Sequence, residues 1–286
     1  MFRVFALPHY SRKVWITLAI IAAIFLWGWI TSLSIREESF TWNIPEWTGT
    51  DKSISLILIS DLHLSPGDES LLLKIVSICD AQQPDAVLLL GDFSSGFNGS
   101  SAMAPSVYAP LLAQCKAPVY AVLGNHDTYY GWPAIQKELE KAGIRVFNPG
   151  STTITGKNGA VIQLGGVGDI VSRRSMVIRD GVPKRERKDM PYILMSHSHN
   201  IAPLIPDGVN LTVSGHTHGG QICLPGGRPL GDLIGKIPHN DVISGLQYID
   251  GHPILITRGI GYSLLPIRIY CPPQIICLKL TAPSVK

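Results

Sequence analysis

The stretch "SISLILISDLH", residues 53–63, joins a continuous apolar run to a polar end. An unbroken run of Ile and Leu is typical of a strand buried on both faces, as in the parallel sheets of α/β proteins. In such sheets, ligands bind beyond the carboxyl ends of the strands. Asp61 and His63 stand at that position here. The stretch therefore predicts both a fold class and the sheet edge at which the chemistry lies.

The pattern of an apolar strand followed by polar residues recurs along the chain. "DAVLLLGD" (85–92) and "PVYAVLGNHD" (118–127) indicate two more buried strands, and "GIRVF" (143–147) indicates a short fourth one. Between them, "ESLLLKIVSICDAQ" (69–82) spaces its apolar residues for one face of a helix, and residues 133–142 also have a helical pattern. From about residue 151 the chain turns to short strands separated by Gly and Pro. We therefore predict an α/β fold, a layered α/β sandwich.

Possible metal ligands follow five of these strands directly. They are Asp61 and His63, Asp92, the run Asn125, His126 and Asp127, the pair His197 and His199, and the pair His216 and His218. Taken alone, each Asp or Asn is more typical of a turn or a helix cap, and each His of an ordinary surface or core residue. Their recurrence at strand ends instead predicts that they meet at one rim of the sheet.

The donor types limit the choice of metal. Carboxylate and amide oxygens mixed with imidazoles suit two divalent ions, Mn²⁺ above all, with Fe or Zn²⁺ as alternatives. The donors outnumber what one tetrahedral ion requires, whereas two ions roughly 3.5–4 Å apart that share one carboxylate would use them all. Asp92, on the middle strand, is the natural bridge. The glycines of "SGHTHGGQ" (214–221) would let that loop approach the ions closely.

The ordered motifs "DLH", "GD", "GNHD", a later His and "GHTHGGQ" resemble the calcineurin-like metallophosphoesterase superfamily over roughly residues 54–280. "TRGIGYSLLPIRIYCPP" (257–273) is similar to the membrane-anchored bacterial branch of that superfamily. That branch includes phosphodiesterase-like proteins and a UDP-2,3-diacylglucosamine pyrophosphatase of lipid A biosynthesis. The resemblance implies a four-layer α/β/β/α sandwich and the hydrolysis of phosphoester or phosphoanhydride bonds.

The resemblance also assigns roles to individual residues. One metal would be held by Asp61, His63, Asp92 and His218, and the other by Asp92, Asn125, His197 and His216. His126 would contact the phosphate and assist the leaving oxygen, and Asp127 would orient the His126 ring. The chain departs from the family pattern in having Ser95 where a further acid is common. It also reads "HSHN" where the family commonly has Pro-Asp two residues after the His, which leaves His199 as an alternative to His197.

The implied reaction is the attack of a metal-bridging hydroxide on phosphorus. Phosphoryl transfer depends mainly on positioning and charge stabilisation, so it needs no protein nucleophile. The sequence accordingly contains neither a G-x-S-x-G elbow nor a Walker GKS or GKT motif. A catalytically inactive metal-binding scaffold is the alternative from another class. The presence of His126 beside all seven donors favours the enzyme.

A membrane anchor is predicted near the N-terminus. The 22 residues "VWITLAIIAAIFLWGWITSLSI" (14–35) carry no charge and are long enough to span a hydrocarbon core of about 30 Å. A secretory signal has a shorter apolar run, about 7–15 residues, whereas Trp27 and Trp29 suit an interfacial belt. We predict a basic cytoplasmic N-terminus (1–13), a transmembrane anchor (14–35), a linker (36–52) and a metallophosphoesterase domain (53–286).

The bias of basic residues suggests a topology and a class of substrate. Arg3, Arg12 and Lys13 precede the span, so the positive-inside rule predicts a single-pass protein of the bacterial inner membrane whose catalytic domain is periplasmic. We expect a phosphorylated lipid or nucleotide-linked substrate at the membrane, and no nucleic acid partner. A lipid A pyrophosphatase would instead need a cytoplasmic active site. Arg258 and the basic run 173–189 could approach an anionic headgroup, although a solvated loop is the simpler interpretation of the run.

Overall fold

The computed structural model describes residues 11–47, 52–96, 101–172, 181–233 and 243–283. The helices are α1 (Arg12–Ser32), α2 (Glu69–Gln82), α3 (Pro105–Leu112), α4 (Asn125–Tyr130), α5 (Trp132–Lys141) and α6 (Leu230–Leu233), with 3-10 helices at His199–Leu204 and His218–Gly220. The strands are β1 (Arg36–Asn43), β2 (Ser53–Ile59), β3 (Ala86–Leu89), β4 (Val119–Ala121), β5 (Arg145–Val146), β6 (Gly150–Thr155), β7 (Val161–Val167), β8 (Tyr192–Ser196), β9 (Leu211–Ser214), β10 (Gly245–Ile249), β11 (His252–Ile256) and β12 (Gln274–Thr281).

The strands form two mixed sheets. The first has the order β1-β12-β2-β3-β4-β5, and the second has the order β10-β11-β9-β8-β7-β6. In the first sheet β2, β3, β4 and β5 are parallel, and β12 runs antiparallel to β2. In the second sheet β7, β8, β9 and β11 are parallel, and antiparallel strands close both edges. The parallel carboxyl ends of each sheet are the edges at which we predicted the donors.

The predicted layered sandwich is confirmed, because alternate side chains of β2 enter different cores. Leu56 and Leu58 lie between the two sheets, whereas Ile57 and Ile59 face the layer of α2, α3 and α5. A third apolar cluster covers the outer face of the second sheet. Within the described residues this fourth layer consists of the 3-10 helix His199–Leu204 and loop segments, so it is thinner than a layer of long helices.

One predicted strand is shorter than expected, and one strand was not predicted. The third strand ends at Ala121, and Asn125 begins α4 instead of closing the strand. Gly124 marks this change, since its backbone is still extended (φ −103°, ψ −176°) and it caps the new helix. The strand β10, by contrast, has no counterpart in the sequence predictions. It is an edge strand in which no residue is fully buried, so it lacks a strong apolar pattern.

The segment predicted as a linker, residues 36–52, is partly a strand. Its first half is β1, which pairs in parallel with β12 from Arg36 opposite Gln274 to Asn43 opposite Thr281. Phe40 and Trp42 pack against the core between the sheets. The alternating apolar residues were a signal for this strand, but its partner lies more than 230 positions away in the sequence. Residues 48–51 lie outside the described residues.

The predicted anchor corresponds to α1, a helix of 21 residues that is long and apolar enough to cross a membrane. It covers residues 12–32 instead of 14–35, and most of its apolar side chains are exposed. Gly28 is the exception, because it is buried against the catalytic domain. Most of the predicted basic N-terminus, residues 1–10, lies outside the described residues.

The core between the sheets predicts the effect of truncating Leu278 on β12, which is 1% exposed. Leu278→Ala leaves a cavity, so we expect the free energy of unfolding to fall by about 2–5 kcal/mol. Chemical denaturation of the detergent-solubilised chain measures this change. Lys279→Ala, at the next and exposed position, should stay within about 0.5 kcal/mol of the parent. Equal losses in both variants would contradict this placement of β12.

Candidate metal centre

The loops after β2 and β3 are bonded to each other through their backbones. Asp61 N–H donates to the carbonyl oxygen of Gly91 at 3.0 Å, and His63 N–H donates to that of Asp92, also at 3.0 Å. Parallel neighbouring strands bring these loops out at the same edge, and the two bonds hold them side by side. The first three predicted ligands are therefore adjacent because of the sheet topology.

Five of the seven predicted ligands have left-handed backbones. The φ angles are 52° at Asp61, 44° at His63, 55° at Asp92, 75° at His216 and 51° at His218. This region is uncommon for residues other than Gly, and such strain concentrates at functional sites, where the surrounding structure maintains it. The bends turn the side chains away from the strand direction and toward one another.

One group of donors surrounds His63 and His218. The Nε2 atoms of these two rings are 3.0 Å apart. Asp61 Oδ1 lies 3.6 Å from Nε2 of His218, and Asp92 Oδ2 lies 3.6 Å from Nε2 of His63. This is the first of the two predicted ligand sets, and the structure brings all four members together.

The other group surrounds His197. Its Nε2 lies 3.3 Å from Asp92 Oδ2, 3.2 Å from Asn125 Oδ1 and 3.2 Å from Nδ1 of His216. Nδ1 of His197 donates to the carbonyl oxygen of Leu90 at 2.8 Å, because a carbonyl can only accept. That bond fixes the tautomer and aims Nε2 at the cluster. The second predicted set also comes together, with Asp92 common to both.

The donor chemistry fits two divalent cations. Nitrogen and oxygen atoms converge in three groups, with the atoms of each group within 4.8 Å of one another: Asp61–His63–His218, His63–Asp92–His126 and Asp92–His197–His216. Nε2 of His63 and Nε2 of His218 face each other at 3.0 Å. If both rings are neutral, a proton or a cation must lie between these two nitrogens, because their lone pairs would otherwise repel each other. Mixed oxygen and imidazole ligands are those of Mn²⁺, Fe or Zn²⁺.

Burial controls the protonation of the imidazoles. It lowers the pKa of His218 to about 3 and, together with the charge of His197, the pKa of His216 to about 4. Both rings are therefore neutral at pH 7, as metal ligands must be. Burial would also lower the pKa of His197, but the Asp92 carboxylate outweighs it and raises this pKa to about 10. Without metal, the His197 imidazolium thus supplies positive charge beside Asp92.

His126 lies at the rim of the first cluster. Its backbone N–H donates to Asp92 Oδ1 at 2.9 Å, and its ring meets that of His63 edge-on, with 4.6 Å between the ring centroids. Nδ1 donates to the carbonyl oxygen of Gly96 at 2.7 Å. This arrangement places the ring next to the metal ligands, as expected of a residue that contacts a bound phosphate.

Asp127 has a different task from the one predicted. Among the described residues, its carboxylate accepts backbone N–H bonds from Asp92 (2.8 Å), Phe93 (2.9 Å), Ser94 (3.2 Å) and Gly124 (2.9 Å). Burial and the nearby Asp92 charge raise its pKa to about 7, against the N–H bonds that lower it. Because both oxygens are directed at the loop after β3, Asp127 holds the Asp92 loop instead of orienting the His126 ring.

Two glycines of the motifs are explained by the carboxylates beside them. A Cβ atom at Gly124 would overlap the Asp92 carboxylate, and one at Gly215 would overlap the Asp61 carboxylate and the Ser60 side chain. His216 N–H donates to Asp61 at 3.0 Å, which is possible because the loop after β9 lies so close to it. Glycine at these positions therefore lets the loops approach the Asp92 and Asp61 carboxylates.

The two open questions about basic and imidazole side chains have structural answers. His197 belongs to the cluster, whereas His199 begins the 3-10 helix beyond it, so the geometry favours His197 as the ligand. Arg258 forms an ion pair with Glu38 of β1, and its Nε donates to the carbonyl oxygen of Pro272. It is thus engaged within the protein instead of reaching toward a headgroup. Residues 173–180 of the basic run lie outside the described residues.

The sequence predictions missed a supporting residue, Arg268. It is fully buried, and its guanidinium donates to carbonyl oxygens of His218 (3.2 Å), Arg258 (3.0 Å) and Gly261 (2.9 Å from Nε). Burial lowers the pKa of this group, and its bonds to carbonyl oxygens compensate for part of the lost hydration. A basic residue between apolar neighbours in "PIRIY" was the available signal.

The chain is similar to known metallophosphoesterases. The model of the family described as calcineurin-like phosphoesterase matches residues 54–220. Phosphodiesterase YaeI of Escherichia coli (strain K12) is 30% identical over 235 residues, which cover 79% of this chain and 81% of that protein. The uncharacterized metallophosphoesterase YkuE of Bacillus subtilis (strain 168) is 31% identical over 227 residues, covering 77% and 76%. A Danio rerio "Transmembrane protein with metallophosphoesterase domain" is 29% identical over 238 residues, covering 76% of this chain and 50% of that protein.

The contacts of Asp127 predict how Asp127→Asn will behave. An amide NH₂ in place of one oxygen would face backbone N–H groups, so we expect a loss of about 1–3 kcal/mol in the free energy of unfolding together with reduced metal content. Denaturation and elemental analysis measure the two effects. Asp207→Asn, at an exposed position, is the matched control. Normal stability and metal content with a lower turnover number would instead favour the orienting role.

Proposed function

The chain belongs to the calcineurin-like phosphoesterase family and is a phosphoester hydrolase, and from this premise we propose that it acts with two divalent metal ions at a membrane surface. The observation that carries the proposal is the position of Asp92, whose Oδ2 lies 3.6 Å from Nε2 of His63 in the first ligand set and 3.3 Å from Nε2 of His197 in the second. A shared, fully buried carboxylate between two sets of imidazoles is the arrangement that two neighbouring cations require.

Manganese is the metal we propose, with Fe or Zn²⁺ as alternatives. The set contains two carboxylates and one amide oxygen besides its imidazoles, and thiolates are absent from both clusters. Bound there, two such ions would neutralise the charge of a phosphate group and lower the pKa of a water molecule. The buried donors would keep the ions in place, since the loops that carry them are bonded to one another.

The residues of the chain supply the remaining functions. Asp127 keeps the Asp92 loop in its left-handed conformation through N–H bonds from Asp92, Phe93 and Ser94, so Asp92 faces both ligand sets. His126 is held through its backbone by Asp92 and through Nδ1 by Gly96. With Nδ1–H committed to a carbonyl, Nε2 is the atom from which His126 would donate to the leaving oxygen. Phosphoryl transfer needs little more than this positioning and charge compensation.

The proposed place of action rests on α1. Its exposed apolar side chains suit lipid, and its first two residues are Arg12 and Lys13, which supports a periplasmic catalytic domain in a bacterial inner membrane. An anchored enzyme meets membrane-borne substrates at a high effective concentration. We therefore propose a phosphodiester or pyrophosphate bond in a phosphorylated lipid or a nucleotide-linked lipid precursor as the substrate.

The second candidate is a UDP-2,3-diacylglucosamine pyrophosphatase of lipid A biosynthesis, favoured by the segment 257–273. That reaction needs the domain on the cytoplasmic face, so a C-terminal reporter read out on both sides of the membrane separates the candidates. A scaffold without catalysis is disfavoured because His126 and all seven donors are present. It would gain support if the Mn²⁺-loaded chain hydrolysed none of p-nitrophenyl phosphate, bis(p-nitrophenyl) phosphate and a lipid-linked nucleotide sugar.

Asp92→Asn tests the shared carboxylate. Removing the charge common to both clusters should lower the metal content and reduce turnover of bis(p-nitrophenyl) phosphate by at least about 100-fold. Elemental analysis and a Mn²⁺-loaded assay measure the two outcomes. Asp250→Asn is the control, because Asp250 is exposed and its left-handed backbone (φ 50°) accommodates Asn. An unchanged metal content would refute the bridging role.

His126→Ala tests the proton donor. The ring belongs to neither of the two predicted ligand sets, so the metal content should stay normal while kcat falls by about 10²–10⁴-fold. The loss should be greatest for substrates whose leaving group is poor, such as a methyl phosphate ester that releases methanol. p-Nitrophenolate is a good leaving group and needs no proton, so its release should depend less on His126. Full activity toward the poor leaving group would remove His126 from the mechanism.

A further inference from the structure

An exposed apolar loop lies beside the metal centre. Residues 262–270, "YSLLPIRIY", are called the interface loop below. In this loop Leu264 is 84% exposed, Leu265 48% and Tyr270 49%. Leu264 also has a left-handed backbone (φ 66°), which is unfavourable for Leu. In water, the exposed Leu264 side chain would be unfavourable and no contact would compensate for it. We therefore expect the loop to lie in an apolar environment.

The interface loop packs directly against α1. A Cβ atom on Gly28 would lie 3.1 Å from Ile267 Cβ and 3.2 Å from Ile269 Cγ1, so the backbone of α1 touches the loop. The backbone N–H of Arg268 donates to the carbonyl oxygen of Gly28 at 2.9 Å. The rings of Trp27 and Tyr270 meet edge-on, with 4.9 Å between their centroids. The loop and the helix are therefore one packed unit.

These contacts determine how deep the loop lies. Gly28 is four residues from the end of α1 at Ser32, about 6 Å at the rise of an α-helix. Ser32 itself is bonded to the carbonyl oxygen of Pro266 at 3.3 Å. If α1 crosses a membrane, its last turns lie at the boundary between hydrocarbon and headgroups, where Trp and Tyr are enriched. A loop packed on those turns lies at the same depth.

We infer that the interface loop inserts into the membrane surface beside α1, with Leu264 and Leu265 among the lipid chains, and holds the metal centre against the headgroups. This inference rests on the anchor of the proposed function. The occupant of the apolar surface is the bilayer, because the chain segment that the loop packs on is the one suited to cross it. The two exposed tyrosines then lie where one face is apolar and the hydroxyl is hydrated.

The interface loop is also bonded to the segments that carry the metal ligands. The Gln221 side-chain amide nitrogen donates among the carbonyl oxygens of Ser263, Leu265 and Ile267 at 3.0–3.2 Å, and its oxygen accepts from Ser263 N–H at 2.8 Å. Gln221 ends the "SGHTHGGQ" segment, three residues after His218. Lipid contact therefore determines the distance of the ligands from the headgroups.

Gly261, the residue before the interface loop, connects the loop to the segment that carries Asp61 and His63. Gly261 N–H donates to the carbonyl oxygen of Asp61 at 2.6 Å, and Arg268 bonds the carbonyl oxygens of both Gly261 and His218. The interface loop is short and hydrogen-bonded on both sides, so it holds the metal centre close to the membrane. A phosphate group in the plane of the headgroups can therefore contact the metal centre. The class of substrate that fits is an amphiphile whose phosphoester or pyrophosphate lies at the membrane surface.

The test uses the full chain, Mn²⁺-loaded and reconstituted in vesicles of phosphatidylcholine and phosphatidylglycerol. A nitroxide label is attached at Leu264→Cys, with Leu204→Cys as the exposed control leucine at the end of the 3-10 helix His199–Leu204 and Ile20→Cys as the reference inside α1. The unsubstituted chain, labelled in parallel, gives the background from its native cysteines. Collision of the label with oxygen, which concentrates in lipid, is compared with collision with a water-soluble nickel chelate.

We expect the ratio of oxygen to nickel collision at Leu264→Cys to be severalfold higher than at Leu204→Cys and to approach that at Ile20→Cys. A ratio equal to that at Leu204→Cys, with Ile20→Cys in lipid, overturns the inference and leaves the anchor standing. If Ile20→Cys is also in water, the anchor fails and the inference fails with it. Hydrolysis of bis(p-nitrophenyl) phosphate by the same samples reports separately on folding and on the hydrolase.

Discussion

A carboxylate buried as deeply as that of Asp92 is stable only if positive charge or hydrogen-bond donors surround it. In this chain His126 N–H bonds one oxygen, and imidazoles of both clusters approach the other. These charges lower the pKa of Asp92 despite its burial. The rest of the site is arranged around this carboxylate, since both predicted ligand sets include it, and two bound cations would compensate its charge fully.

The loops that carry these ligands have unfavourable backbone conformations. The left-handed backbones at Asp61, Asp92 and His216 would relax if they were not bonded elsewhere. Asp127 supplies such bonds at the Asp92 loop, and Arg268 supplies them between His218 and Gly261. Neither side chain needs to touch a substrate for its loss to affect the reaction. Their role is to keep the ligands of two ions within a few ångströms of one another.

Helix α1, the proposed anchor, and the sheet that follows it are more closely joined than a helix on a flexible linker would be. Residues 36–43 form β1 and add to the first sheet, so little chain remains between α1 and the domain. Gly28 also packs on the interface loop, whose carbonyl oxygens bond Gln221. A tethered domain gains effective concentration from its tether alone. If α1 is the anchor, as we propose, this packing also gives the domain a defined orientation, which suits the proposed substrate in the plane of the membrane.

Local pattern was sufficient for the parts of the molecule that depend on neighbours in sequence. The apolar run before Asp61, the helix over 69–82 and the charge-free span of α1 could each be read directly, because burial and periodicity act over a few residues. The two ligand sets followed from strand ends and from family resemblance. The tertiary structure alone decided that Arg36–Asn43 is a strand, that Asp127 holds a loop and not a ring, and that Arg268 joins two ligand segments. In each of these cases the bonding partner is remote in sequence or is a backbone group. The identity of a side chain does not indicate which remote segment or which backbone group it will contact.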